Sequence, residues 1–239
     1  MLATHVSLTL VRFDTVQVAG EWAGPPPAGT LFRAIGADGR AASTPVSERS
    51  GYTFAIFGLH DSLDSAAEMH QRHAEICPWT QSAKETFSLV LLPTRHIGEV
   101  NYLAPENPGL IYNCSAEGVP PGRFVVLITV GFDRIEGWQK AAAAFGEGVS
   151  AVRMSMSSTA GLLSQQTFFL DGGEFDGLTV TIWNSFAEMR DAMYGPGVHR
   201  DMLQRHRDGG FGNPRSSFAR CSVERSSGTW EGGHSFESL

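Results

Sequence analysis

Two histidines in the second half of the chain have the spacing that most directly suggests chemistry. His199 and His206 are seven residues apart and so fall on one face of a predicted helix. The Gly-Pro-Gly sequence at 195–197 must end the helix before them, because proline restricts its predecessor and glycine costs backbone entropy. We therefore expect a new helix to begin at Val198, with His199 in its first turn.

The first turn of a helix favours the neutral form of His199. The positive end of the helix dipole disfavours an imidazolium there. Neutral imidazole is the form that binds a metal, with its other ring N–H held by a second acceptor. We predict that His199 is a metal ligand and that His206 is not. A helical histidine is more often a half-exposed or hydrogen-bonded residue, and that alternative stays open for both.

The same part of the chain supplies side chains suited to a flat, apolar cofactor. Methionines are adaptable fillers around flat groups, and arginine forks match the acidic groups at a cofactor's edge. The apolar candidates are Met154, Met156, Leu162, Leu163, Ile182, Trp183, Met189, Met193 and Met202, and the cationic ones are Arg153, Arg200, Arg205 and Arg207. Of these, we expect Trp183, Met189, Met193, Met202 and Arg200 to bind the cofactor. Ordinary core packing and a solvated helix face are the alternatives.

Composition restricts the class of protein. The chain has 239 residues, 42% of them hydrophobic, and a net charge of −7. This supports a real core and argues against a nucleic-acid partner, which needs clustered basic residues. Three cysteines without a CxxC spacing indicate neither a disulfide framework nor a zinc site. With no apolar run of about 20 residues and no secretion signal, we expect a cytoplasmic protein without a transmembrane segment.

An internal repeat predicts the fold. Strand-like runs at 6–14 and 124–133 both end in Phe-Asp, and each precedes a stretch with helical spacing that contains a tryptophan, Trp22 or Trp138. Each half continues with a second strand-then-helix unit, whose helix contains the sequence Ala-Glu-Met in both halves. A closing strand then ends each half. The further matched segments are 53–57 and 179–183, 67–69 and 187–189, and 87–92 and 218–223.

Strand, helix, strand, strand, helix, strand is the split βαβ order of ferredoxin-like domains. The sequence therefore predicts an α+β protein with two tandem ferredoxin-like halves, 1–114 and 123–232, and a tail at 233–239. The halves bury their free sheet faces together as one barrel of the dimeric α/β type. Helix N-caps are predicted at Asp61 and Asn184, a linker at 115–122 and a hairpin tip at 171–177.

Several short motifs, taken in order, resemble the spheroidene monooxygenase family. They are LTVTIWNS at 178–185, GPGVH at 195–199, SFAR at 217–220, GTWEG at 228–232, LTLVRF at 8–13 and LLPT at 91–94. The resemblance implies a dimeric α/β barrel that uses haem to oxidise carotenoids. Related two-half barrels of the chlorite dismutase and aldoxime dehydratase kind hold haem by a histidine on a second-half helix. By that likeness His199 is the proximal ligand of haem b iron.

The chain departs from the family between 155 and 177, where the resemblance places the distal pocket. This stretch is rich in hydroxyl groups, whereas a pocket for a long polyene is almost wholly apolar. We expect Arg153, Ser155 and Ser157 to be the catalytic residues, acting on a small or apolar organic substrate.

Three functions follow as alternatives. The first is a haem-dependent monooxygenase-like oxidoreductase, which needs an external electron donor because the chain has no flavin or nicotinamide signature. The second is a haem-dependent dehydratase, or an enzyme that forms nitrogen–heteroatom bonds, of the aldoxime dehydratase kind. The third is a cofactor-free monooxygenase or binding module of the same fold. A homodimer is compatible with all three.

Overall fold

The computed structural model describes residues 1–38, 50–103, 105, 107, 109–114, 122–133, 135–169, 177–211 and 214–231. In this part of the chain eight strands form a closed barrel, and two very short strands form a parallel pair beside it. No helix among these residues is both long and apolar enough to cross a bilayer.

The strands and helices follow the predicted order with one omission. The barrel strands are β2 (His5–Val18), β3 (Thr30–Ala37), β4 (Ser50–His60), β5 (Glu85–Gly98), β7 (Phe124–Gly131), β8 (Leu162–Phe169), β9 (Gly177–Trp183) and β10 (Arg215–Gly228), and the parallel pair is β1 (Leu2–Ala3) with β6 (Ile111–Tyr112). The helices are α1 (Leu63–Ile76), α2 (Trp138–Met156), α3 (Phe186–Tyr194) and α4 (Val198–Arg207), and short 3₁₀ helices span Pro78–Ser82 and Asn101–Leu103.

Both halves have the same strand order, which confirms the predicted fold. The first half runs β5-β2-β4-β3 and the second β10-β7-β9-β8, so each places its last strand beside its first. The halves join edge to edge at two seams. Strands β5 and β10 pair from Gly98–Ser217 to Phe87–Gly228, and among the described residues β3 and β8 are registered at Ala37–Phe169. These two seams close the barrel.

The main core fills the barrel interior. Alternate residues of the strands point inward, as a pleated sheet requires, and buried side chains such as Leu8, Phe57, Phe87 and Leu127 meet there. Burial of each such side chain contributes about 1.5–3 kcal/mol. The four α-helices contribute no residue to this interior cluster and pack instead on outward-facing strand residues. Any ligand between helix and sheet therefore lies outside the barrel.

Two details of the predicted layout are wrong. No helix follows the first strand: Trp22 lies in an irregular stretch, because the three consecutive prolines at 25–27 remove backbone donors and fix φ, and the glycines at 20 and 24 raise the entropy cost of a helix. The helix N-caps are Ser62 and Ser185, one residue after the predicted Asp61 and Asn184, and each serine oxygen accepts a backbone N–H of the first turn. The predicted linker and hairpin tip lie largely outside the described residues, at 115–121 and 170–176.

Candidate functional site

The helix break before His199 is confirmed. Helix α3 ends at Tyr194 and α4 begins at Val198. Gly197, between them, has a φ of 146°, which only glycine adopts without strain. The turn brings the ring of His199 back to the end of α3, where its Nδ1 lies 2.8 Å from the carbonyl oxygen of Met193. That oxygen is available because the last carbonyls of a helix have no partner within it.

The hydrogen bond to Met193 determines the chemistry of the His199 ring. A carbonyl oxygen only accepts, so Nδ1 donates and carries the proton. A neutral ring then has its lone pair on Nε2. Burial lowers the pKa of His199, against the opposing effect of the Met193 hydrogen bond, and so favours the neutral form near pH 7. Histidines that ligate metals are typically oriented in this way, with one nitrogen donating to a carbonyl and the other bound to metal.

Beside His199 lies an apolar group of side chains between the outer face of the second-half sheet and helices α2 and α3. We call it the methionine cluster. Its buried members are Phe124, Val126, Val152, Met156, Trp183, Met189 and Met193, and Met202 is among the half-buried residues packed against it. The four apolar residues predicted to bind a cofactor, Trp183, Met189, Met193 and Met202, are therefore brought together. The Nε1 of Trp183 donates to Thr181 Oγ1 at 2.8 Å, so its ring is held in place.

Helix α4 covers this region without being buried in it. Its inner face consists of His199, Met202, Leu203 and His206, all half-buried, and α4 has no fully buried side chain. It approaches α2 where Gly148 leaves room: a Cβ at that position would lie 3.5 Å from Met202 Sδ. By contrast, α3 buries Met189 and Met193. Little apolar burial holds α4 in place, so its position is the easiest to change when a ligand binds.

His206 shares the inner face of α4 with His199 but not its orientation. Its Nδ1 is buried and has no hydrogen-bond partner among the described residues. Nothing there corresponds to the Met193 carbonyl, so no acceptor selects a tautomer or fixes the ring. The two histidines on one helix therefore differ in the property that prepares an imidazole to bind a metal.

The predicted polar residues are not gathered around His199. Arg153, Ser155 and Ser157 are exposed on α2, whose neighbouring residues Val152 and Met156 face the cluster. Both serine hydroxyls donate to carbonyls of their own helix end, Ser155 to Val152 and Ser157 to Met154, each at 2.8 Å. Arg200 is also exposed. Among the described contacts none joins these four residues to the His199 ring.

The side chains around His199 fit haem. In the described part of the chain no three His, Cys, Asp or Glu residues are close enough to hold a metal ion between them. Haem would not need such a group, because its iron would be held by the porphyrin and by a single histidine of the chain. His199 supplies an oriented nitrogen, and the methionine cluster supplies an adaptable apolar wall.

Sequence reasoning missed a second buried histidine, in the first half. His60 at the end of β4 is fully buried, and its Nε2 and Nδ1 each lie 2.8 Å from a hydroxyl, those of Ser7 and Ser65. Burial lowers the pKa of His60 to about 4. Because both ring nitrogens are already hydrogen-bonded inside the protein, this histidine is structural. No local sequence motif predicts this buried histidine, because its hydrogen-bond partners lie on other elements, β2 and α1.

Comparison with solved structures shows the fold alone. An aldoxime dehydratase matches with a TM-score of 0.53 and 10% identity, over 92% of this chain and 82% of that one. A second aldoxime dehydratase, crystallised with butyraldoxime, has a TM-score of 0.51 and 11% identity, over 92% and 80%. A candidate monooxygenase of Fusobacterium nucleatum matches at a TM-score of 0.41 and 10% identity over the whole of both chains. No protein-family model and no curated protein sequence matches.

Proposed function

We propose that this protein is a haem-dependent enzyme in which His199 would hold haem b iron through Nε2 at the methionine cluster. The observation that carries the proposal is the hydrogen bond from His199 Nδ1 to the Met193 carbonyl. It leaves one oriented nitrogen with a lone pair, beside an apolar group of side chains under a lightly held helix.

The residues of the chain have separate tasks in this proposal. His199 holds its proton at Nδ1, and Trp183, Met189 and Met193 exclude water from the cofactor's apolar surface. Bound haem iron supplies either activation of O₂ or peroxide, or Lewis-acid activation of a substrate nitrogen. Arg153, Ser155 and Ser157 remain proposals as catalytic residues. Turnover that falls in their alanine variants at unchanged haem occupancy supports that role, and normal turnover removes it.

A spectrum and two alanine variants test the haem ligand. The purified protein should be red, with a Soret band at about 400 nm. His199→Ala should fold but bind haem about a hundredfold more weakly or worse, because the axial bond is lost. His206→Ala, changed on the same face of the same helix, should keep its haem. Equal haem binding by the two variants, or a colourless parent that does not take up added haemin, contradicts the proposal.

Two reactions fit this site. We propose first the oxidation of a small or apolar organic substrate, with electrons from an external donor. The fold shared with two aldoxime dehydratases supports dehydration at nitrogen as the second candidate. Butyraldoxime, incubated with dithionite-reduced protein under argon, separates them. Conversion to the nitrile without oxygen identifies a dehydratase, whereas turnover of a substrate panel only in air with a reductant identifies an oxygenase.

A further inference from the structure

Two arginines lie side by side where the halves of the barrel join. Arg220 on β10 and Arg95 on β5 are register partners in the long antiparallel seam. The neighbours of Arg220 along its strand, Ala219 and Cys221, point into the barrel interior, so Arg220 and Arg95 point outward on the helix-covered side. Like charges directly opposite each other in a sheet are destabilising, so this pairing has a cost.

Arg220 adjoins the methionine cluster although it is charged. It is only 7% exposed, and on its other side it is registered with Val126 of β7, a buried member of the cluster. Its guanidinium carbon lies 4.8 Å from the centroid of the Phe186 ring, which packs against the same cluster. Packing on Phe186 orients the guanidinium, since cations are attracted to the face of an aromatic ring.

The electrostatics of the pair favour a bound anion. Burial lowers the pKa of Arg220, the charge of Arg95 lowers it further, and Tyr194 opposes both. An anion placed between two neighbouring guanidinium groups is attracted by both of their charges. A guanidinium offers parallel N–H donors whose geometry matches the two oxygens of a carboxylate. Arg95, which is exposed, can complete the site from the solvent side.

We propose that Arg95 and Arg220 bind a carboxylate of the molecule that occupies the methionine cluster. This inference rests on the proposed ligand site but not on iron ligation by His199. The carboxylate has two possible sources, a propionate of the porphyrin or the acid group of an organic substrate. In the first case the pair orients the cofactor, and in the second it makes the enzyme selective for anionic substrates.

Metal-free protoporphyrin tests the inference separately from the iron ligand. Its binding to apo-protein is followed by porphyrin fluorescence and compared with that of its dimethyl ester in the same detergent. The parent should prefer the free acid by about tenfold or more, as charge-assisted hydrogen bonds predict. Arg220→Met and Arg95→Gln should lose that preference. Arg225→Met, an exposed arginine further along β10, should keep it, and so should His199→Ala.

A second arm identifies a substrate carboxylate. Phenylacetate and its amide are titrated against apo-protein and haemin-loaded protein, with tryptophan fluorescence and the Soret band as readouts. Acid-selective binding that Arg95→Gln abolishes, without any porphyrin preference, assigns the pair to the substrate. Arg95 is exposed, so its variant should fold even if Arg220→Met does not. If neither the porphyrin nor the phenylacetate shows acid selectivity that depends on the pair, the inference is wrong.

Discussion

The two halves of the barrel share a strand order but cover their outer faces differently. In the first half the sheet is covered by α1 and by aromatic rings. Trp79 packs against Phe54 at a centroid distance of 5.2 Å and against Phe13 at 6.2 Å. In the second half α2 and α3 cover the sheet, α4 packs on these two helices, and methionines pack among aromatic rings beneath them. One topology therefore carries one face closed by aromatic rings and another in which flexible methionines lie beside such rings.

This difference supports the proposed ligand site in the second half. Aromatic rings in edge and stacked contacts have few alternative arrangements, so they fill a face permanently. Methionines have three rotatable bonds and adapt to what lies against them. The histidines of the two halves also differ in how much of their hydrogen-bonding capacity is already used. Both nitrogens of His60 are hydrogen-bonded to hydroxyls, whereas among the described residues His199 is hydrogen-bonded through Nδ1 alone.

The largest expected loss of stability comes from removing a large side chain from the outer face of either half. Trp79→Ala should lower the free energy of unfolding by about 3 kcal/mol, because the half-buried ring packs against two buried clusters of the first half and leaves a gap between them. Haemin affinity should not change. Met193→Ala should cost about 2–5 kcal/mol and also weaken haemin binding. Urea unfolding and haemin titration measure both quantities, and an equal loss of haemin affinity in the two variants would break the comparison between the halves.

Acid should destabilise the protein through His60. Its pKa is about 4 in the folded protein against 6.5 as the ordinary value, so the unfolded chain binds the proton more readily between these pH values. Stability is unaffected above pH 6.5 and falls by about 3 kcal/mol as the pH drops from 6.5 to 4.

A glutamine variant isolates this contribution. His60→Gln keeps a donor and an acceptor but does not titrate, so its urea unfolding should depend less steeply on pH over that interval. The other histidines act equally in parent and variant, and the difference in slope therefore reports His60. Identical pH slopes for the two proteins would show that His60 is protonated as easily in the folded state as in the unfolded one.

The smallest expected effect concerns the turn before His199. Gly197→Ala should cost about 1–3 kcal/mol, because a Cβ is strained at a φ of 146° although the space around it is open. It should also weaken haemin binding by displacing His199. Gly146→Ala, in the interior of α2 and equally open, should instead stabilise the protein by about 0.5–1 kcal/mol. Thermal unfolding and haemin titration separate them, and unchanged haemin affinity in Gly197→Ala would show that this turn does not position the ligand.

Local patterns predicted some parts of the site and not others. The helix break at 195–197 and the first-turn position of His199 followed from proline and glycine chemistry, which acts within a few residues. The exposure of Arg153, Ser155 and Ser157 did not follow, because it depends on which face α2 turns to the sheet. The missing first-half helix shows the same limit: helical spacing around Trp22 suggested a helix that the local glycines and prolines do not allow.

By itself the sequence determined the order of the strands and of every helix but the one expected at Trp22, the barrel of two similar halves and the place where α4 begins, because hydrophobic periodicity and backbone restrictions are local properties. Only the tertiary structure decided which histidine nitrogen has an acceptor, which methionines meet and that Arg220 lies beside Arg95. Those facts join residues that are distant along the chain or on different elements, and they depend on strand register and helix orientation, which no single segment specifies.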